Sequence, residues 1–236
     1  VTALEPRRRL AFALDYPTLA EARSGAERVR DAAGVLKVGL ELFVREGPPA
    51  VRMGRDLGCD VFLDLKLHDI PETVERAVAS AGELGARYLT IHAGGGPRML
   101  ERAAKRAETA GLTLLAVTVL TSLDAADLDA VGVKASPAEQ AVRLARLCKD
   151  SGIHGLVCST AEVSLLRAEM GPDAVLVTPG IRPGGGGADD QKRTGTPAQA
   201  IRSGSSLLVV GRPIRDAADP LAVAQSIVDE IAGALS

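Results

Sequence analysis

Aliphatic runs recur along the chain, and after each one the apolar residues spread out to every third or fourth position. The runs fall at residues 10–14, 35–38, 61–65, 88–92, 114–119, 155–158, 175–178 and 207–210. A short unbroken apolar run bounded by turn residues reads as a strand buried on both faces. The spaced pattern reads as an amphipathic helix, here over 18–32, 41–57, 72–84, 97–110, the 124–151 region, 161–170, 197–203 and 220–232. Eight strands alternating with eight helical segments predict an α/β fold, a (β/α)8 TIM barrel formed by one domain over 1–236. An open, doubly wound sheet is the alternative, because alternation by itself does not demonstrate closure.

Composition narrows function more than fold. The 236 residues are 46% hydrophobic and 25% charged, the balance of a globular chain. A net charge of −2 supplies no field for nucleic acid or for a membrane surface. Two tyrosines, three phenylalanines and no tryptophan leave no stacking platform for single-stranded nucleic acid. Arg7-Arg8-Arg9, just before the first strand, reads as a solvated run. The sequence has no secretory h-region and no apolar run long enough to span a bilayer, so a cytoplasmic location is expected. Cys59, Cys148 and Cys158 are widely spaced among apolar residues and read as reduced core thiols. His68, His92 and His154 are scattered without a matching carboxylate cluster, which argues against a catalytic metal.

Candidate chemistry concentrates in Asp64-Leu65-Lys66-Leu67-His68-Asp69-Ile70-Pro71. Residues two apart on a strand share a face, which puts Asp64 and Lys66 together. Two acids and a base at the end of a buried strand are costly unless the charges pair or react. A surface ion pair, worth under about 1 kcal/mol, is the structural alternative. Asp69 and Glu72 fit a capping box, but Pro71 favours the first helical position, so Ile70 becomes the cap and Asp69 stays outside. In a barrel, functional side chains gather where strands end. Those ends hold Asp15, Lys37, Asp64, Lys66, His92, Thr121, Pro179, Arg182, Gly211 and Arg212.

The last two strand ends have the composition of a phosphate site. Strand seven runs into Thr178-Pro179-Gly180-Ile181-Arg182-Pro183, then four glycines and Asp189-Asp190-Gln191; strand eight runs into Gly211-Arg212-Pro213. Gly211 allows close backbone approach to an anion, and Arg212 supplies a charge-assisted contact. The glycine run makes 183–190 a candidate lid. His92-Ala93-Gly94-Gly95-Gly96 has a cradle-like composition but reads as a turn into the next helix.

Taken together, these residues resemble the orotidine 5′-monophosphate decarboxylase family. The resemblance spans nearly the whole chain: Ala13-Leu14-Asp15, Leu36-Lys37-Val38-Gly39, the Asp64–Pro71 segment, 117–122, 177–183, Asp190-Gln191 and Val210-Gly211-Arg212-Pro213. It implies that Lys66 donates a proton to the ring carbon losing carbon dioxide, that Asp64 sits beside the departing carboxylate, and that Lys37 anchors Asp64 and the ribose. It also implies that Asp69 and Thr73 act across a homodimer interface, and that Asp15 binds ribose hydroxyls. Thr121, with Ser122 as neighbour, would read the pyrimidine. Gln191, Arg212 and the amides near Gly211 would hold the phosphate, with Pro179 and Arg182 at the lid. No cofactor is implied. A related phosphosugar barrel working through a metal-stabilised enediolate, and a non-catalytic nucleotide sensor, are the competing readings.

Overall fold

Every aliphatic run forms a strand: β1 (Leu10–Ala13), β2 (Val35–Val38), β3 (Asp60–Leu67), β4 (Tyr88–His92), β5 (Thr113–Val117), β6 (Gly155–Val157), β7 (Val175–Thr178) and β8 (Leu207–Val210). The computed structural model describes residues 5–185 and 194–236. All strand pairs are parallel, and neighbours in sequence are neighbours in space. Leu10 lies opposite Leu208, which joins β8 to β1 and closes the barrel. The open-sheet alternative is thereby excluded.

Alternation along the strands sorts side chains into two cores. Leu10, Phe12, Leu208 and Val210 pack under the helices. Ala11, Ala13, Val35, Phe62, Tyr88, Leu115, Val177, Leu207 and Val209 form a separate buried cluster. This second set fills the barrel, as it must in a ring of eight strands too narrow for a channel.

The outer layer comprises α1 (Leu19–Val29), α2 (Leu40–Glu46), α3 (Pro48–Asp56), α4 (Pro71–Glu83), α5 (Pro97–Ala110), α6 (Ala125–Ala130), α7 (Pro137–Asp150), α8 (Val163–Met170), α9 (Pro197–Arg202), α10 (Arg212–Arg215) and α11 (Pro220–Leu235). The expected helix 41–57 is two helices. Gly47 adopts φ 62° and ends the first, and Pro48 starts the second. The 124–151 region is also divided, with Asp124 and Ser136 each forming a capping box. Among the described residues, no helix is long and apolar enough to cross a membrane.

The arginine triplet is not a solvated run. Pro6–Arg9 forms a 3-10 turn beneath the barrel, and the Arg7 carbonyl accepts the Gly34 N–H at 2.8 Å. Arg7 and Arg9 are half-buried, and burial pulls the Arg9 guanidinium below its ordinary pKa. The three cysteines are buried free thiols, and burial pushes Cys148 up to about 12.

A further arginine ties the strand entrances together. Arg167, on α8, donates to the carbonyls of Gly171, Pro172, Ala174 and Gly204 at 2.7–3.1 Å, and to Ser206 Oγ at 3.0 Å. These acceptors flank the starts of β7 and β8. Replacing it removes charge-assisted bonds and strands carbonyls from their donor. Arg167→Met should therefore lower unfolding free energy by roughly 2–4 kcal/mol. Urea denaturation followed by circular dichroism measures the loss.

Candidate active site

The exit of β3 departs from regular strand geometry. Its pairing with β4 runs to Leu63 opposite Leu89 and resumes at Leu67 opposite Ile91, so Asp64, Leu65 and Lys66 bulge against Thr90. Lys66 adopts φ 50°, a left-handed conformation found at no other described non-glycine residue. That conformation costs about 1–2 kcal/mol and must be held by its surroundings. The Lys66 N–H donates to Thr90 Oγ1 at 2.9 Å, and the Thr90 hydroxyl donates to Asp64 Oδ1 at 2.9 Å. Lys66 Nζ donates to the same Oδ1 at 2.8 Å. Asp64 and Lys66 do share a face, but a bulge and a buried threonine put them there, not plain strand alternation.

The charges continue sideways. Lys37, on the neighbouring strand, places Nζ 3.7 Å from Asp64 Oδ2 and 3.4 Å from Asp15 Oδ1. Asp15, Lys37, Asp64 and Lys66 thus form one chain of alternating sign across β1, β2 and β3. Burial alone would push the Asp64 carboxyl up. Lys37 and Lys66, with the hydrogen bonds from Lys66 and Thr90, more than offset it and hold the group below its ordinary value. Two glycines make room for this contact. A Cβ at Gly39 would lie 3.1 Å from Lys37 Nζ, and one at Gly211 would lie 3.2 Å from Asp15 Oδ2.

The chain of charges lies in a cavity of about 440 Å³ at the C-terminal ends of the strands. Arg182, Arg212 and Arg215 also line it, Arg215 beside Asp15, and Val117, Val119, Leu120, Val157 and Val209 supply apolar lining. Five cationic side chains and two carboxylates thus line it. The excess of cations and the apolar lining suit an anion with an apolar portion.

Of the residues singled out from the sequence, Asp15, Lys37, Asp64, Lys66, Thr121, Pro179, Arg182, Gly211 and Arg212 line this cavity. Thr121 does so and its exposed neighbour Ser122 does not. Asp69 and Thr73 do not line it; both are exposed around the start of α4. Ile70 is the N-cap of α4, as Pro71 requires, and its N–H bonds the Asp69 carboxylate at 2.6 Å. His92 is a correction: it does not line the cavity but stands against His68, ring centroids 5.4 Å apart. Burial, then His68 and Lys66, hold its pKa down. Ala93–Gly95 forms a 3-10 turn leading into α5, not a cradle in the cavity. Gln191 and the rest of 186–193 lie outside the described residues. Thr90, Cys158 and Arg215 join the site without having been anticipated. The hydroxyl inside the otherwise apolar Leu89-Thr90-Ile91 was the available signal for the first.

The sequence matches, over residues 8–227, the family model described as "Orotidine 5'-phosphate decarboxylase / HUMPS family". An orotidine 5′-phosphate decarboxylase of Anaeromyxobacter sp. (strain K) is 54% identical over 224 residues, covering 95% of this chain and 98% of that protein. Its counterpart in Chromohalobacter salexigens is 51% identical over 225 residues, covering 94% and 95%. Among solved structures, orotidine 5′-phosphate decarboxylase from Lactobacillus acidophilus is similar with a TM-score of 0.83 at 37% identity, covering 95% of this chain and 99% of that one.

The depressed Asp64 pKa fixes a sign for acid stability. A carboxyl lowered in the folded state stabilises the fold above its unfolded value and loses that contribution as pH falls through the folded one. The stability of the wild type minus that of Asp64→Asn should be flat above about pH 5 and fall once pH drops below the ordinary value of 3.8. Denaturation of both proteins across that range gives the difference curve. A flat difference throughout would contradict the assignment.

Proposed function

The chain belongs to the orotidine 5′-phosphate decarboxylase / HUMPS family, and from that premise we propose that it decarboxylates orotidine 5′-monophosphate to uridine 5′-monophosphate and carbon dioxide in de novo pyrimidine biosynthesis. The observation that carries this reading is the unbroken Asp15–Lys37–Asp64–Lys66 chain, in one cavity with the guanidinium groups of Arg182 and Arg212. The substrate has matching ends. Its phosphate suits Arg212, Gln191 and the amides near Gly211, with Pro179 and Arg182 at the lid end. Its ribose suits Asp15 and Lys37, its ring the apolar wall, and Thr121 reads the pyrimidine edge.

The chemistry needs no cofactor. As the carbon–carbon bond breaks, carbon dioxide departs and the electron pair stays on the ring carbon, in an sp² orbital that the π system cannot delocalise. Only an adjacent positive charge stabilises it. Lys66 is that charge. Its ammonium first faces the developing carbanion and then transfers a proton to the same carbon. The lysine recovers a proton from solvent. Asp64 stands next to the departing carboxylate. Two like charges at ~4 Å repel by about 4 kcal/mol at an effective dielectric near 20. Relief of that repulsion corresponds to about three powers of ten in rate. Repulsion that only weakens binding accelerates nothing, so stabilisation by Lys66 ranks first. Contacts to the remote phosphate contribute by holding the ring against Lys66 and excluding water.

Asp69 and Thr73 complete the site of a neighbouring subunit in this reading, and the active unit is a homodimer. Their exposure supports it, as does the apolar surface after adjacent strand ends: Leu40 is 51% exposed, Val44 81% and Ile70 65%.

Loss of orotidine 5′-monophosphate absorbance on adding protein and excess chelator tests the reaction. Turnover should persist with chelator and vanish in a folded Lys66→Ala variant; a metal requirement would move the reaction to the enediolate barrels. Composite sites make a separate prediction. Lys66→Ala and Asp69→Ala, each inactive alone, should regain about a quarter of wild-type activity when co-refolded in equal amounts, because hybrid dimers hold one intact site. No recovery would rule out a contribution of Asp69 in trans.

A further inference from the structure

Nothing in the strand-end pattern marks Arg215, which closes the one-turn helix α10 and lines the cavity with Arg212. Its guanidinium is already engaged. Nε and Nη2 donate to the two Asp216 carboxylate oxygens at 2.6 and 3.1 Å, a forked pair that neutralises the charge and fixes the plane. The remaining arm, Nη1, donates to the main-chain oxygen of Asp15 at 3.0 Å. That single bond joins the segment after β8 to the segment after β1.

Asp15 is where such a tether matters. It lies one residue past the last bond of β1 to β2, in which the Leu14 N–H donates to the Lys37 carbonyl at 2.9 Å, so the ladder ends just short of it. Its carboxylate must nevertheless sit 3.4 Å from Lys37 Nζ and pack closely against Gly211. A carboxylate 48% exposed on a loop would sample several positions unless its backbone were held. We propose that Arg215 is a positioning residue: paired with Asp216, it holds the Asp15 main chain so that the Asp15 carboxylate meets Lys37 at the ribose end of the cavity. It thereby sets affinity for a ribonucleotide 5′-monophosphate without touching the phosphate, whose charge Asp216 has already pre-empted on this guanidinium. The inference rests on Asp15 as the ribose contact in the proposed reaction.

Calorimetric titration with uridine 5′-monophosphate tests it in wild type, Arg215→Met, Asp15→Ala and the double variant. Arg215→Met should weaken binding about tenfold, the worth of one charge-assisted hydrogen bond. On top of Asp15→Ala it should add less than about twofold, because the two residues act as one unit. Arg215→Lys, which keeps one donor for the carbonyl, should recover part of the loss. Equal losses in both backgrounds would show that Arg215 acts independently of Asp15 and would overturn the proposal, as would unchanged affinity in Arg215→Met. If Arg215→Met does not fold, Asp216→Asn loosens the fork while keeping the guanidinium, and the same cycle is run with it. Turnover by the wild type is measured on the same preparation. Absent turnover overturns the proposed reaction and this inference with it; turnover with additive losses overturns the inference alone.

Discussion

The mouth of the barrel depends on one carboxylate. Asp64 is only 13% exposed at its side chain, and an isolated anion so placed would be protonated or expelled. It stays ionised because Lys37 and Lys66 lie on either side and Thr90 donates a hydrogen bond. Both lysines depend on it in turn, as the acid that separates two ammonium groups. The same carboxylate accounts for the backbone. Lys66 remains in a left-handed conformation because its N–H and its Nζ are both tied, directly or through Thr90, to Asp64.

The barrel keeps this strained cluster apart from the parts that hold the fold together. Buried aliphatic residues fill the barrel and the layer beneath the helices, and Arg167 joins the entrances of β7 and β8 through backbone carbonyls. The charges of the cavity gather at the opposite face, Lys37 at the end of β2, Asp64 and Lys66 on the β3 bulge and Asp15 just past β1. Changes in the reactive face therefore act on binding and chemistry with little effect on the closure of the barrel.

The strands were legible because each is buried on both faces, which leaves an aliphatic run with few polar interruptions. Most of the charged residues were legible for the opposite reason: Lys37, Asp64 and Lys66 make no sense inside such runs unless they do something. What was hidden depends on geometry without a periodic signature. The β3 bulge looks like ordinary alternation in one dimension. Arg215 sits on a helix too short to show amphipathic spacing. Gly47-Pro48 was visible in the sequence, yet continuous apolar spacing through 41–57 masked the break. The burial of Arg7 and Arg9 came from the barrel floor above them, which local charge density could not reveal.

Gly39 and Gly211 give the site its asymmetry. Both occupy points where a single methyl would press on the ammonium of Lys37 or the carboxylate of Asp15, so the polar wall has no slack. The apolar lining of Val117, Val157 and Val209 is made of side chains that can be trimmed one carbon at a time. Redesign of the cavity for bulkier bases is therefore directional. Libraries that vary the valine wall explore new shapes with the charges in register, whereas those that vary the glycines lose the register first.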